Sequence, residues 1–459
     1  MNMKAMTLSQ AAAAVGGKLI GSGEDTVIER VVMDSRLDVT GSLFVAIVGN
    51  RVDGHDFAAE VLSRGAVCAL VEREIDTAKP YILVDSTLRA IRDLAAYYRS
   101  LFDIPVIGIT GSVGKTSTKE MLYSVLSTKY TVHKTEGNLN NEIGVPMTLF
   151  ELRDTHEAAV IEMGISDFGE MTRLTNMVRP TIAMITIIGY AHLDNLGDRV
   201  GVFHAKTEIF HGLAPGGIAL VNGDDDMLAP MHLTDIAPDK TDAAKITYGL
   251  NDNNAYRVTD IVNHGKSGMS CTLLWRDVRL PVDIHAFGQP MVLAALAAAA
   301  VGDQLGLTPE EIARGIGAFS NVAGRAQVCK TEQFTIIDDC YNASPNSVTA
   351  AITSLAQLPG RRIAILGDMA ELGADTAALH RQVGIHAAQS LIDGVVCIGQ
   401  LSKHTYMGIT ETSPTIAAWH FPEKVAAIGA LQDILQSGDQ ILVKASRSMH
   451  FEEIVAALK

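Results

Sequence analysis

Asp103-Ile-Pro-Val-Ile-Gly-Ile-Thr110-Gly111-Ser112-Val113-Gly114-Lys115-Thr116-Ser117 is the stretch whose reading decides the fold. The run Ile104 to Ile109, rich in β-branched residues, predicts a buried strand. The small residues Gly111 to Gly114 predict a turn, and the apolar positions Met121, Leu122, Val125 and Leu126 an amphipathic helix. Strand, turn and helix in that order make a phosphate cradle. Glycines let backbone N–H groups converge on an anion, and the helix adds the positive end of its dipole. Lys115 can neutralise a terminal phosphate, and the Thr116 hydroxyl can ligate the magnesium that travels with a nucleotide.

The glycine spacing departs from the strict P-loop pattern, which asks for glycine where Ile109 stands. The bland alternative is a plain strand–turn–helix corner with an incidental lysine. Gly-Lys-Thr at such a junction favours the phosphate site.

At 459 residues the chain is expected to fold as two to four domains. Nearly half of it is apolar, which excludes wholesale disorder. A formal net charge of -15 argues against a nucleic-acid or anionic-membrane partner, so an anionic ligand needs locally gathered Lys and Arg. The five cysteines (68, 271, 329, 340 and 397) are scattered without a Cys-x-x-Cys pair, as expected of buried thiols in a reducing compartment. The longest apolar run, Met291 to Val301, is too short to span a bilayer. A cytoplasmic protein without membrane insertion is expected.

Residues 1 to about 85 read as a small α/β unit, with strands at Leu43–Val48 and Val67–Val71 around a helix at 57–63. The polar clusters Asp34-Ser35-Arg36 and Asp53-Gly54-His55-Asp56 are either solvated loops or anion-binding turns, with Arg36 as the phosphate fork. A helix, Leu88 to Ser100, leads into the phosphate loop. Beyond it, Gly137-Asn138-Leu-Asn140-Asn141-Glu-Ile-Gly144-Val-Pro146 is either a loop reading a polar ligand or ordinary turn chemistry. Ala158 to Gly164 is an apolar strand ending in Glu162, at the strand end where ligands gather in open α/β sheets. The strand 181–188 leads to Ala191-His192-Leu-Asp194, and a helix carries Lys206. Taken alone, His192 reads as a satisfied loop histidine and Lys206 as a solvated helix lysine. Residues 240–286 read as an antiparallel insertion, followed by an alanine-rich helix, Met291 to Leu305. The last third repeats the α/β rhythm, with strands ending at Asp338-Asp339, Gly367-Asp368, Gly399 and Lys444-Ala-Ser446-Arg447. Alternating strands and helices imply a mostly parallel, doubly wound sheet.

Thr-Gly-Ser-x-Gly-Lys-Thr-Ser is the loop form of the Mur ligases and folylpolyglutamate synthetases, and the rest of the chain resembles the Mur ligases from end to end. The matching stretches include Asp34-Ser-Arg36, Asn138 to Pro146, Val160-Ile-Glu-Met-Gly164, Ala191-His-Leu193, Lys206-Thr-Glu-Ile-Phe210, Asp338 to Ala343, Leu366-Gly-Asp-Met-Ala-Glu-Leu-Gly373 and Val443 to Ser448. Within that family the Asn-rich loop and the Gly-Asp-Met-Ala-Glu-Leu-Gly segment single out the branch that handles D-alanyl-D-alanine.

The resemblance implies an α/β protein of three domains: a small UDP-sugar-binding domain (1–85), a central P-loop ATPase with a parallel sheet (86–315) and a C-terminal Rossmann-like domain (316–459). It implies a monomer whose partners are UDP-N-acetylmuramoyl-tripeptide and D-alanyl-D-alanine, with ATP and magnesium. The reaction implied is transfer of the γ-phosphoryl to the tripeptide carboxylate, followed by attack of the dipeptide amine on the acyl phosphate. By family pattern Gly111, Ser112, Val113, Gly114, Lys115, Thr116 and Ser117 hold ATP, with Arg325, Asp339, Tyr341 and Asn342 joining from the C-terminal domain. Thr116 and Glu162 hold the shared magnesium, His192 helps with a second, and Lys206 falls where the family carries a carbamylated lysine. Lys115, His192 and Lys206 are thus the catalytic set. Ser35, Arg36, Asn138, Asn140 and Asn141 would hold the UDP-sugar substrate; Lys444, Ser446 and Arg447 would lie near the dipeptide.

One departure stands out. Where the family has Gly-x-His-Asn-x-x-Asn, with an asparagine for the adenine, this chain has Gly288-Gln-Pro-Met-Val-Leu-Ala294. No adenine residue is assigned there. The rival readings are a folylpolyglutamate synthetase, disfavoured by the unit preceding the phosphate loop; the preceding muramyl ligase, disfavoured by the 366–373 segment; and an ATP-binding relative without catalysis.

Overall fold

The computed structural model describes residues 3–49, 52–413 and 415–459. The strand Val106–Thr110 is buried at every position and lies inside a six-stranded sheet, flanked by Ala158–Glu162 and Ile182–Ile185. All pairings in this sheet are parallel. A strand apolar on both faces is what a parallel sheet covered by helices on both sides requires. One cover is the helix Lys115–Leu126, which packs Met121, Leu122, Val125 and Leu126 into a core shared with the alanine-rich helix Pro290–Gln304.

The antiparallel insertion is smaller than expected. Arg257–Asn263, Met269–Trp275 and Val278–Ile284 form a three-stranded antiparallel sheet. Ala244–Tyr248, by contrast, is the parallel edge strand of the central sheet, beside Ile218–Asn222. An edge strand exposed on one side alternates like a hairpin strand, so pattern alone does not separate the two. The Val-Pro-Met-Thr continuation of the Asn-rich loop is helical, within Gly144–Phe150.

The N-terminal five-stranded sheet contains Ser42–Val45 and Cys68–Val71 as parallel neighbours, and adds three-residue strands at Lys18–Ile20, Arg30–Val32 and Tyr81–Leu83. The C-terminal six-stranded sheet runs Gln327–Lys330, Thr335–Asp338, Gln440–Lys444, Arg362–Gly367, Gly394–Ile398, Ala417–Phe421. Only its first pair is antiparallel. The chain is therefore α/β in three units. Among the described residues no helix is long and apolar enough to cross a membrane.

Candidate active site

The phosphate loop leaves the central sheet through Gly111, at φ 146°, where a Cβ would stand 1.9 Å from Thr186 Oγ1. Gly114, at φ 87°, occupies the cap of the helix Lys115–Leu126 in a left-handed conformation that favours glycine. Both glycines are thus dictated by backbone geometry. Ser112 ties the loop to the next strand end: its Oγ donates to the Gly189 carbonyl (3.3 Å) and accepts from the Gly189 amide (2.9 Å). Lys115 folds back, its Nζ donating to the Gly111 carbonyl at 2.8 Å. Burial lowers the pKa of its ammonium, the Glu162 carboxylate opposes that shift and Arg325 adds to it.

Glu162, 2% exposed, ends its strand beside this loop. It accepts from Thr116 Oγ1 (3.0 Å) and from Asn140 Nδ2 (2.8 Å), with Lys119 Nζ 3.8 Å away. A carboxylate and a hydroxyl gathered beside a phosphate loop are hard oxygen donors of the kind magnesium takes, and the Asn140 amide nitrogen braces the carboxylate. That ion needs only one or two carboxylates when phosphates supply the rest. Among the described residues no group of three or more His, Cys, Asp and Glu stands ready to cage a metal. The donors present fit a nucleotide-borne ion.

His192, at φ 55°, precedes the short helix Leu193–Leu196. Its Nδ1 lies 2.6 Å from Oε2 of Glu371, which comes from the C-terminal sheet's side of the cleft. Burial lowers the pKa of the imidazole, Lys206 and Lys115 push the same way, and Glu371 opposes them. Lys206 is buried on the helix Arg199–Thr207. Burial drives the pKa of its ammonium well below the usual lysine range, and the positive charge of Lys115 drives it further. It is not a solvated surface lysine.

The facing wall is C-terminal. Asp339 Oδ1 accepts from the Ala326 amide (3.1 Å), while Oδ2 pairs with Lys444 Nζ (2.6 Å). Lys444 also donates to the Asn342 carbonyl at 3.0 Å. Arg325 stacks its guanidinium 4.1 Å from the Tyr341 ring centroid, with Arg447 on the same ring at 5.7 Å. Such stacking holds a cation close to a flat face while leaving its N–H groups able to reach an anion. Ser446 Oγ accepts from the Ala370 amide at 2.8 Å. All these residues, the loop from Ser112 to Thr118, Asn140, Asn141, Glu162 and His192 line one cavity of about 950 Å³.

Three family descriptions match the chain: the Mur ligase catalytic domain over residues 27–99, the Mur ligase middle domain over 109–302, and the Mur ligase glutamate ligase domain over 324–447. The UDP-N-acetylmuramoyl-tripeptide–D-alanyl-D-alanine ligase of Escherichia coli (strain K12) is 37% identical, over the whole of this chain and 99% of that one. The chain belongs to the Mur ligases. The crystal structure of MurF from Acinetobacter baumannii has 32% identity and a TM-score of 0.91, covering 100% of this chain and 99% of that one. MurF ligase from Thermotoga maritima, in complex with ADP, has 28% identity and a TM-score of 0.83, covering 93% and 96%.

Not every residue that the Mur ligase resemblance named is in the cavity wall. Ser35, Arg36 and Asn138 are not among its lining residues. Arg36, whose side chain is 87% exposed, donates from Nε (2.8 Å) and Nη2 (2.7 Å) to its neighbour Asp34, and the Ser35 carbonyl accepts from Arg64. Lys206 lies behind the wall rather than on it. Lys444 is engaged by Asp339 and Asn342 instead of being a free substrate contact.

Sequence reading did not pick out Glu371, Asn346 or Lys119. Glu371 sat inside a segment quoted only for kinship, and nothing local pairs it with His192. Lys119 is fully buried, donating to the Thr135 carbonyl at 2.6 Å. A lysine one helical turn past Lys115 on the same face could have signalled it. Where the family's asparagines are missing, Met291 and Pro290 join Phe287 as an apolar end of the cavity.

Proposed function

We propose that this chain is the ATP-dependent ligase that adds D-alanyl-D-alanine to UDP-N-acetylmuramoyl-tripeptide, a cytoplasmic step of peptidoglycan synthesis. The observation that carries the reading is the single cavity between a phosphate loop with Glu162 on one wall and Arg325, Asp339 and Tyr341 on the other. The full-length likeness to ligases named for that reaction, one of them solved with ADP, supports it. The working unit is a monomer of three domains, 1–85, 86–315 and 316–459.

In this reading the loop Gly111–Ser117 binds the triphosphate, and Lys115 offsets the charge that builds as the phosphoryl passes to the tripeptide carboxylate. Phosphorylating a carboxylate crowds negative charge, so positioning and electrostatic stabilisation do most of the work. Thr116 and Glu162 would hold magnesium, which would supply Lewis-acid charge to the transferring phosphate. His192 and a carbamylated Lys206 would hold a second ion. Arg325, Asp339, Tyr341 and Asn342 hold the nucleotide from the C-terminal side. Asn140 and Asn141, with Ser35, Arg36 and Asn138, orient the UDP-sugar; Ser446 and Arg447 lie toward the dipeptide. The dipeptide amine then attacks the acyl carbon, and the carbon–oxygen bond to phosphate breaks as the amide forms.

The test is amine dependence. Purified protein with ATP and UDP-N-acetylmuramoyl-tripeptide should release phosphate only when D-alanyl-D-alanine is added. Equal release with a folate substrate, or none with any acceptor, overturns the reading.

A further inference from the structure

Residues other than glycine pay for a left-handed backbone with about 1–2 kcal/mol each. Three of those that adopt it, His192, Ala326 and Glu371, line the same cavity. His192 (φ 55°) follows the central strand Ile182–Ile185, and Glu371 (φ 61°) follows the C-terminal strand Arg362–Gly367. They meet each other across the cleft. Besides the 2.6 Å contact between His192 Nδ1 and Glu371 Oε2, the Leu193 amide donates to the Glu371 carbonyl at 2.9 Å. One bond fixes the ring and the other fixes the backbone that carries it. Gly373 lies beside the same segment, a Cβ there standing at an ordinary 3.4 Å from the Leu193 carbonyl. The near end of the run is gripped as well, the Tyr190 amide donating to Asn346 Oδ1 at 3.1 Å. The segment from Tyr190 to Leu193 is thus held at both ends from the C-terminal domain.

We propose that Glu371 is a positioning residue for the metal site: it fixes the His192 imidazole from the opposite domain, so that domain closure and completion of the ligand set are one event. A carboxylate accepting from Nδ1–H selects the tautomer whose lone pair is on Nε2, the usual way in which an outer partner orients a ligating histidine. With the domains apart, His192 loses both the carboxylate and the backbone bond that stabilises its left-handed conformation. ATP committed to the central domain alone would then find an incomplete site, which guards against idle hydrolysis. This inference rests on the reading of His192 as a metal-site residue given above.

The experiment compares the full-length wild type with Glu371→Ala, Glu371→Gln, His192→Ala and the Glu371→Ala/His192→Ala double variant. Three readouts are taken: the magnesium concentration for half-maximal phosphate release, calorimetric binding of β,γ-imido-ATP with magnesium, and thermal melting. Glu371→Ala should raise the magnesium midpoint about 10- to 100-fold and weaken imido-ATP binding, with melting unchanged. Glu371→Gln should fall between, because its amide oxygen still accepts from Nδ1–H. In the His192→Ala background Glu371→Ala should add nothing. A wild-type midpoint and wild-type binding in Glu371→Ala overturn the proposal, and so does a loss that adds in full to that of His192→Ala. Failure of the wild type to release phosphate with D-alanyl-D-alanine would instead defeat the functional reading, while the calorimetric comparison still reports on Glu371.

Discussion

The hydroxyl of Thr116 donates to the carboxylate of Glu162 across 3.0 Å, joining the first turn of the loop helix to the end of the neighbouring strand. Both are buried, and Asn140 donates to the other carboxylate oxygen at 2.8 Å. Glu162→Gln keeps the shape and removes the charge. Thr116 can still donate to the amide oxygen, and Asn140 can turn its own amide to accept from the new NH₂ group. The variant should fold normally, yet need more magnesium and turn over about 10- to 100-fold more slowly. Phosphate release titrated against magnesium checks this; an unchanged midpoint would remove Glu162 from the metal site.

Gly111→Ala should damage stability and binding together. The backbone at φ 146° strains any side chain, by about 1–3 kcal/mol. The added methyl would also strike Thr186, whose Oγ1 donates to the Val113 carbonyl at 2.6 Å inside the phosphate loop. Displacing Thr186 therefore moves the cradle. A lowered denaturation midpoint with loss of ATP-analogue binding is expected in equilibrium unfolding and calorimetry; full affinity would show that the loop tolerates the shift.

The phosphate loop was legible because each of its requirements is local. A β-branched run makes the buried strand Val106–Thr110, the two positive-φ turn positions favour glycine, and apolar spacing sets the face of the helix Lys115–Leu126. The strand ending in Glu162 was legible for the same reason. The clasp between His192 and Glu371 was not, because its partners lie far apart in the chain and meet only where two sheets face each other. The burial of Lys206 was hidden too: its helix has no long apolar stripe, and the side chain is enclosed by packing from elsewhere. Family likeness reversed the bland reading of that lysine, and its burial in the fold gives the reversal a physical basis. Ala244–Tyr248 was misjudged as part of the antiparallel insertion because edge strands of both kinds alternate in the same way.

Lys115→Ala should slow turnover about 10²- to 10³-fold and leave the fold intact. Among the described residues the side chain's one hydrogen bond is to the Gly111 carbonyl, a neighbour the loop can satisfy with water. Removing a preorganised contact to transition-state charge costs about 2.7–4 kcal/mol, or about 10²- to 10³-fold in rate. Circular dichroism and single-turnover phosphate release check the two halves, and a wild-type rate would refute the assigned role.

Lys206 offers the sharpest chemical test. Carbamylation needs a neutral amine: the nitrogen lone pair attacks carbon dioxide, a proton leaves, and a cation becomes a carboxylate-like anion with two oxygen donors. A solvated lysine is almost wholly protonated near pH 7. Here burial and the charge of Lys115 lower the pKa of the ammonium well below 10.5, so the neutral fraction at a given pH rises and the modification becomes favourable. The product anion also relieves the repulsion, because it faces Lys115 as an opposite charge. Enzyme depleted of carbon dioxide should lose activity and regain it on re-exposure, faster as pH rises at a fixed carbon dioxide pressure because more amine is neutral. Lys206→Ala should be inactive and partly restored by a short-chain acid that fills the vacated carboxylate position. Full activity in the untreated Lys206→Ala variant would eliminate the carbamate.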